Sequence, residues 1–402
     1  MQTIQFPDFM AVTFGLVTYL LGEAVNDRVG LLRRLSIPDP VTGGLIVAAV
    51  FYALHAFGLV EIGFDTHARD LLLLIFFTGI GLNARFADLL KGGRPLVILV
   101  AITAGLLLAQ MVVGGLSALA AGLPLGMGTV LGATALLGGH GTVIAWSPEL
   151  EARGLAGAPE IGIAMATLGL VVGSVVGGPL GRMLIGGRGL ASEEVAEVNS
   201  VGLSEMSPAP EPITRKALMR TLLWVFICII LGYLVQQAVL QVGLMLPLFV
   251  PCLLVGMLIG NLMPYVPFLA PVSHTPALSL VSEFALGVFL AVSLMALQLW
   301  ALAGMAGTLL AVLAVQTLLA LAVARLLVFR FLGEDYPAAV MTAGYASFVL
   351  GATPTAIATM TAVTKRHGPC QSAFIVIPLL SALFVDIANA LVTQGFLNLW
   401  AN

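Results

Sequence analysis

Three short groups place polar chemistry inside otherwise apolar sequence. The first is Gly138-Gly139-His140-Gly141-Thr142. Glycines allow a break in helical geometry and leave backbone amides open to close approach. Amides exposed where a half-helix begins make a site for a carboxylate. The same glycines would also serve close helix packing, and His140 would serve as a hydrogen bond across a hairpin. The second group is Gly351-Ala352-Thr353-Pro354-Thr355-Ala356. Pro354 has no N–H to give, which leaves carbonyls upstream without intrahelical partners. With the hydroxyls of Thr353 and Thr355, those carbonyls are hard oxygen ligands of the kind Na⁺ accepts; a proline kink repaired by Ser or Thr is the plainer reading. The third group is Asp386 with Asn389, whose i, i+3 spacing sets both on one helix face.

Asp386 falls near the middle of an apolar run, where an ionisable group costs roughly 2.5–3.5 kcal/mol on insertion scales. A residue kept at that cost binds a cation, relays protons or makes a structural hydrogen bond to a hairpin. Arg366 follows the second group in TKRHG. Its guanidinium suits bidentate binding of a carboxylate, and equally suits anchoring a cytoplasmic loop. Glu23 and Glu283 read as interfacial or interhelical groups, and Gln110, Gln298 and Gln316 as helix-packing amides. No Walker loop, GxSxG or HExxH occurs, so neither ATP-driven work nor hydrolytic chemistry is indicated, and no cofactor is expected.

The elements that position these groups belong to a membrane protein. Of 402 residues, 59% are hydrophobic and 9% charged, with mean hydropathy +1.07. A soluble domain averages about 25% charged residues, so lipid is the solvent here. The three cysteines are scattered in or beside apolar runs and support neither a disulfide framework nor a metal site. The net charge of −3, with no basic stretch interleaved with aromatics, gives no footprint for nucleic acid. The first apolar stretch runs into Glu23, Asn26 and Asp27 without a small-residue cleavage site, so no cleaved signal peptide is expected.

Apolar runs near 8–25, 40–59, 70–84, 95–121, 160–183, 217–240, 246–263, 277–300, 302–331 and 371–398 read as ten spans. The stretches 126–148 and 337–362 are too rich in Gly, Thr, Ser and Pro for ordinary spans and read as re-entrant hairpins. With the amino terminus outside and both hairpins entering and leaving on one side, 15 of the 17 basic residues fall in cytoplasmic loops, leaving Arg69 and Arg153 outside. The expected fold is all-α: about ten transmembrane helices plus two re-entrant hairpins, in two repeats. Residues 1–185 form the first repeat, 186–214 a polar cytoplasmic linker, and 215–402 the second. Five spans per repeat is an odd number, so the repeats have inverted topology. The pairs Gly138/Gly351, Thr142/Thr355, Ile144/Ile357 and Ala145/Ala358 keep a constant offset, and inverted repeats place substrate near the midplane at interrupted helices.

The sequence resembles the bacterial sodium/glutamate symporters along nearly the whole chain. The blocks are IPDPVTGGL (37–45), FFTGIGLNA (76–84), GGHGT (138–142), LGATPTAIA (350–358) and VDIANALV (385–392). The resemblance implies a carrier in the bacterial inner membrane that imports L-glutamate with Na⁺ as coupling ion by alternating access, both termini periplasmic. It also implies a homodimer in which a mobile transport domain moves against a scaffold. On this reading Gly138, Gly139, His140, Gly141, Thr142, Thr353, Thr355 and Arg366 bind substrate, and Asp386, Asn389, Thr353 and Thr355 bind sodium. Two other readings stand beside it: a sodium- or proton-coupled carrier of malate or citrate, and a cation/proton antiporter with Asp386 as the proton site.

Overall fold

The computed structural model describes every residue except 1, 35–36, 58–59, 66, 193–212, 242–245, 267–269, 298–303 and 401–402. Most of the expected linker at 186–214 therefore lies outside the described residues, as does Gln298. Runs of about 20 apolar residues can satisfy their backbone in lipid only as helices or closed barrels, and here they form helices. Seven described helices are long and apolar enough to cross a bilayer: Asp8–Arg28, Asp39–Ala56, Gly92–Ala120, Ala158–Arg188, Arg215–Gln241, Pro276–Met295 and Ala306–Phe331. The other three expected spans are shorter or interrupted. His67–Asn83 has 17 residues and Phe249–Leu262 has 14. The last run is divided into Gln371–Leu380, a π-turn at Ser381–Val385, and Asp386–Trp400.

The chain folds into two compact units. One comprises Met1–Arg85, Val143–Ile161 and Pro212–Ala306; the other comprises Phe86–Thr142, Gly162–Glu211 and Gly307–Asn402. Each unit draws on both expected repeats. The first unit also holds a small departure from an all-helical fold, a two-stranded parallel ribbon of Gln2–Phe6 and Val60–Phe64. A parallel pair needs a long crossover, here supplied by the helices Asp8–Arg28 and Asp39–Ala56. Two crossings return the chain to the side it left. Phe6, Phe14, Phe51 and Phe64 pack their rings around the ribbon, above a core of Ala11, Val288, Val292 and Met295.

The second unit carries all three polar groups. Its helix Ala158–Arg188 presents Gly169, Gly173, Gly177 and Gly181, four residues apart and so on one face. A methyl on Gly169 would lie 2.3 Å from Leu350 O, on Gly173 2.8 Å from Ser347 O, and on Gly177 2.5 Å from Ala343 O. Small residues at that spacing let backbones meet where lipid offers no hydrophobic drive. The stripe forms a slot in which the 343–351 backbone lies.

Candidate functional site

The second polar group sits at the tip of a helical hairpin. Tyr336–Phe348 begins under Asp335, whose Oδ1 accepts from Ala338 N at 2.8 Å. The chain reverses over 349–352 and continues as Thr353–His367. The two helices run back along each other: Ser347 Oγ meets Thr359 Oγ1 at 2.8 Å, and a methyl on Gly344 would touch Met360 Sδ at 2.6 Å. Pro354 occupies the first turn of the second helix rather than its interior, where a missing N–H costs little. It starts the helix instead of kinking one. The expected loss of upstream acceptor partners therefore does not follow, because a first-turn N–H has no intrahelical carbonyl to serve. Thr355 fastens the tip, its Oγ1 accepting from Ala352 N at 3.1 Å. Among the described residues, nothing accepts from the backbone N–H of Thr353 or Thr355, so both are available to an anion.

The first polar group also lies at a break. The segment expected as a hairpin over 126–148 comprises a 3-10 turn at Leu125–Gly128, a short helix Ala133–Leu136, and a longer helix Gly139–Ala152. Gly139 takes φ of +71°, a conformation that costs other residues roughly 1–2 kcal/mol. The N–H groups of Gly139, His140 and Gly141 open this helix, where donors have no carbonyl of the preceding turn to reach. Thr142 Oγ1 donates back to Gly138 O at 2.9 Å. A methyl on Gly138 would lie 2.7 Å from Thr142 Cβ, and one on Gly351 would lie 3.0 Å from Thr355 Oγ1. The two glycines therefore leave room for the threonine four residues on in the same way. His140 is buried and meets Thr167 Oγ1 at 2.9 Å. Thr167 gives its single proton to Ile163 O, so His140 donates through Nε2. The imidazole ties the break to helix Ala158–Arg188.

One element touches both breaks. Ser381 Oγ accepts from Thr353 Oγ1 at 2.7 Å. Eight residues on, roughly 12 Å along the helix, Asn389 Nδ2 donates to Ala133 O at 3.1 Å. Asn389 Oδ1 accepts from Thr393 Oγ1 at 3.1 Å, and Thr393 meets Thr134 Oγ1 at 2.9 Å. Thr134, Thr393, Asn389 and Ala133 thus close a ring between the last helix and the first broken segment. Asp386 lies between Ser381 and Asn389, where the π-turn gives way to α-helix. π-bulges recur at functional positions. Asp386 is half-buried, and no described residue pairs with its carboxylate.

Two residues read from sequence as packing amides form a reciprocal pair. Gln110 Nε2 donates to Val349 O, at the hairpin tip, at 3.3 Å. Gln316 Nε2 donates to Leu131 O, beside the first break, at 3.1 Å and to Gln110 O at 2.9 Å. Each glutamine comes from one half of the chain and holds the broken backbone of the other. Both are fully buried, and neither Oε1 has a partner among the described residues. Sequence offers one signal for them: each is a lone amide in a long apolar helix.

The structure sets Thr353 against Ser381 and Gly138 beside Asn389 on the last helix, which also carries Asp386, while Thr142 and Thr355 each bond within their own break and His140 is held by Thr167. It separates Arg366, which is exposed in the final turn of Thr353–His367, eleven residues and roughly 16 Å along the axis from Thr355. Ser381 and Thr393, which nothing in the sequence singles out, complete the clamps.

The sodium/glutamate symporter family profile matches residues 4–369. The chain is similar to the sodium/glutamate symporter of Haemophilus influenzae, 37% identical over 390 residues, 96% of each chain. It is also similar to that of Escherichia coli K12, 39% identical over 386 residues, 95% of each chain. Among solved structures, the sodium proton antiporter MjNhaP1 of Methanocaldococcus jannaschii covers 98% of both chains at 15% identity and a TM-score of 0.42.

Proposed function

Because the chain belongs to the sodium/glutamate symporter family, a family of multi-pass membrane transporters, we propose that it imports L-glutamate together with Na⁺ by alternating access. The observation that carries this reading is the last helix, fastened to one broken segment at Ser381 and to the other at Asn389. The broken segments offer an anion two sets of first-turn amides, at Gly139–Gly141 and at Thr353 and Thr355. Asp386, between the clamps, offers a cation its one fixed negative charge, with the hydroxyls of Thr353 and Thr355 and the Asn389 side chain as further oxygens. A dicarboxylic amino acid and a monovalent cation match that set.

In this reading 126–148 and 337–362 enter and leave the bilayer on one side, and 1–185 and 215–402 are inverted repeats joined by a cytoplasmic linker. The Lys and Arg distribution supports both termini lying outside the inner membrane. The parallel ribbon supports the return of residues 60–64 to the side of the amino terminus. Arg366 is left outside the site, as a cytoplasmic anchor. The working unit is a homodimer, by resemblance to related carriers.

The test is uptake of labelled L-glutamate into proteoliposomes with and without an inward Na⁺ gradient. Uptake should require Na⁺, respond to membrane potential at about 2.3 kcal/mol per net charge per 100 mV, and resist competition by malate and citrate. Uptake that survives Na⁺ removal but collapses with the proton gradient would overturn the proposal.

A further inference from the structure

Away from the broken segments, helix Ala158–Arg188 ends beside the stretch 324–334, where a helix loosens into a π-turn at Ala324–Val328. A cleft of about 360 Å³ opens between them, lined among others by Met183, Arg188, Arg325, Phe329, Arg330 and Glu334. It holds three guanidinium groups against one carboxylate. Arg188 is committed: it pairs with Glu334 and stacks its Cζ 4.8 Å from the centre of the Phe329 ring. Arg325 and Arg330 are exposed and uncommitted. Arg325 reaches only Met183 Sδ, at 3.8 Å, and Arg330 has no side-chain partner among the described residues.

In a regular α-helix two residues five apart lie roughly 140° apart around the axis. The π-turn closes i to i+5 and brings Arg325 and Arg330 toward one side, where both line the cleft. Next to these charges the surface is apolar: Leu326 is 62% exposed, Phe331 58% and Met183 47%. On helices that cross a bilayer, side chains exposed in this way face acyl chains. A pair of free cations at a helix end, flanked by exposed Leu, Phe and Met, is complementary to an amphipath with an anionic head. A soluble anion would use the charges and leave the apolar flank without a partner. Basic clefts between transmembrane helices are a recurring form of recognition for anionic lipid head groups.

We propose that this cleft is a binding site for an anionic phospholipid, its phosphate diester held between Arg325 and Arg330 and its acyl chains lying along Leu326 and Met183. Arg188, locked by Glu334 and Phe329, forms the rigid wall against which the head group rests. The site is independent of the transport reading above, and its test does not use glutamate.

The test is delipidated full-length protein in neutral detergent, titrated separately with phosphatidylglycerol, cardiolipin, phosphatidylcholine and inorganic phosphate, with bound lipid counted by native mass spectrometry and the unfolding midpoint followed in parallel. The two anionic lipids should bind and raise the midpoint, while phosphatidylcholine and inorganic phosphate should not. Each of Arg325→Gln and Arg330→Gln should weaken anionic-lipid binding about five-fold, the change that about 1 kcal/mol per basic residue represents. The Arg→Lys pair should keep most of it. Both positions are exposed, so the variants should fold, and Arg182→Gln, exposed on the same helix as Arg188 but outside the cleft, should bind as wild type. Equal binding of phosphatidylcholine, an equal shift from inorganic phosphate, wild-type affinity in the two Gln variants, or an equal loss in Arg182→Gln would each overturn the proposal.

Discussion

Replacing Gly138 by alanine tests how the last helix is fastened to the first broken segment. The new methyl would lie 2.4 Å from Asn389 Nδ2, 2.6 Å from Thr134 O and 2.7 Å from Thr142 Cβ. Thr134 O belongs to a helical turn and cannot withdraw without unwinding it. Asn389 must therefore swing away, releasing Ala133 O and breaking the ring through Thr393 and Thr134. Overpacking of a tight site costs about 1–3 kcal/mol, and leaving buried polar groups unpaired costs about 1–3 kcal/mol more. Gly138→Ala should therefore destabilise by about 2–6 kcal/mol and weaken glutamate uptake. Its neighbour is the internal control. Gly139 has open space where a Cβ would go but φ of +71°, so Gly139→Ala should cost only about 1–2 kcal/mol. Gly139→Asn should cost less, because Asn visits that conformation readily, whereas Gly138→Asn should be at least as damaging as the alanine. The assay is thermal unfolding of the purified variants alongside proteoliposome uptake. In an Asn389→Ala background the nearest clash disappears, so the Gly138→Ala penalty should shrink by at least about 1 kcal/mol, a coupling typical of residues in contact. A Gly138→Ala protein that unfolds and transports like wild type, or a penalty unchanged by Asn389→Ala, would refute the clamp.

Asp386→Asn keeps the shape of the side chain and removes its charge. It should lower apparent Na⁺ affinity at least ten-fold or stop uptake while leaving insertion intact, and an unaltered Na⁺ titration in folded protein would remove Asp386 from the cation site. Arg366→Gln should change the glutamate KM by less than two-fold, since Arg366 is exposed and far along the helix; a ten-fold rise would return it to the substrate site. The glutamine pair predicts a crossed pattern in hydrogen exchange: Gln110→Leu should speed exchange around 349–353 and spare 129–137, and Gln316→Leu should do the reverse. Equal effects of both variants on both segments would mean that the amides merely pack.

The broken segments are readable from sequence because glycine and proline report backbone geometry locally: GGHGT and GATPTA mark their own breaks. The isolated charge of Asp386 also marks itself, since lipid makes such a residue conspicuous. What the chain does not announce is partnership across long separations. Asn389 reads as a companion of Asp386 on one helix face, yet its amide is engaged with Ala133, and that contact depends on how distant helices pack. Gln110 and Gln316 carry a signal of polarity but none of direction. Pro354 shows the limit of local rules: the same residue breaks a helix or starts one, and only the turn before it decides. Arg366 illustrates the converse, because proximity in sequence to the hairpin tip becomes distance once the intervening residues are helical.

The glycine slot on helix Ala158–Arg188 also bears on how the protein is made. Its occupant, the backbone of residues 343–351, is synthesised about 160 residues after the slot itself. At about 5–20 residues per second, the slot waits roughly 8–30 s for its partner. Throughout that interval a row of bare glycines stands open within the bilayer, ready for lipid, a helix of another chain or a membrane chaperone to occupy. Biogenesis of this protein is therefore a matter of keeping a vacancy clear, and substitutions that enlarge Gly169, Gly173 or Gly177 should first appear as failed insertion of the late hairpin, before any defect in transport can be measured.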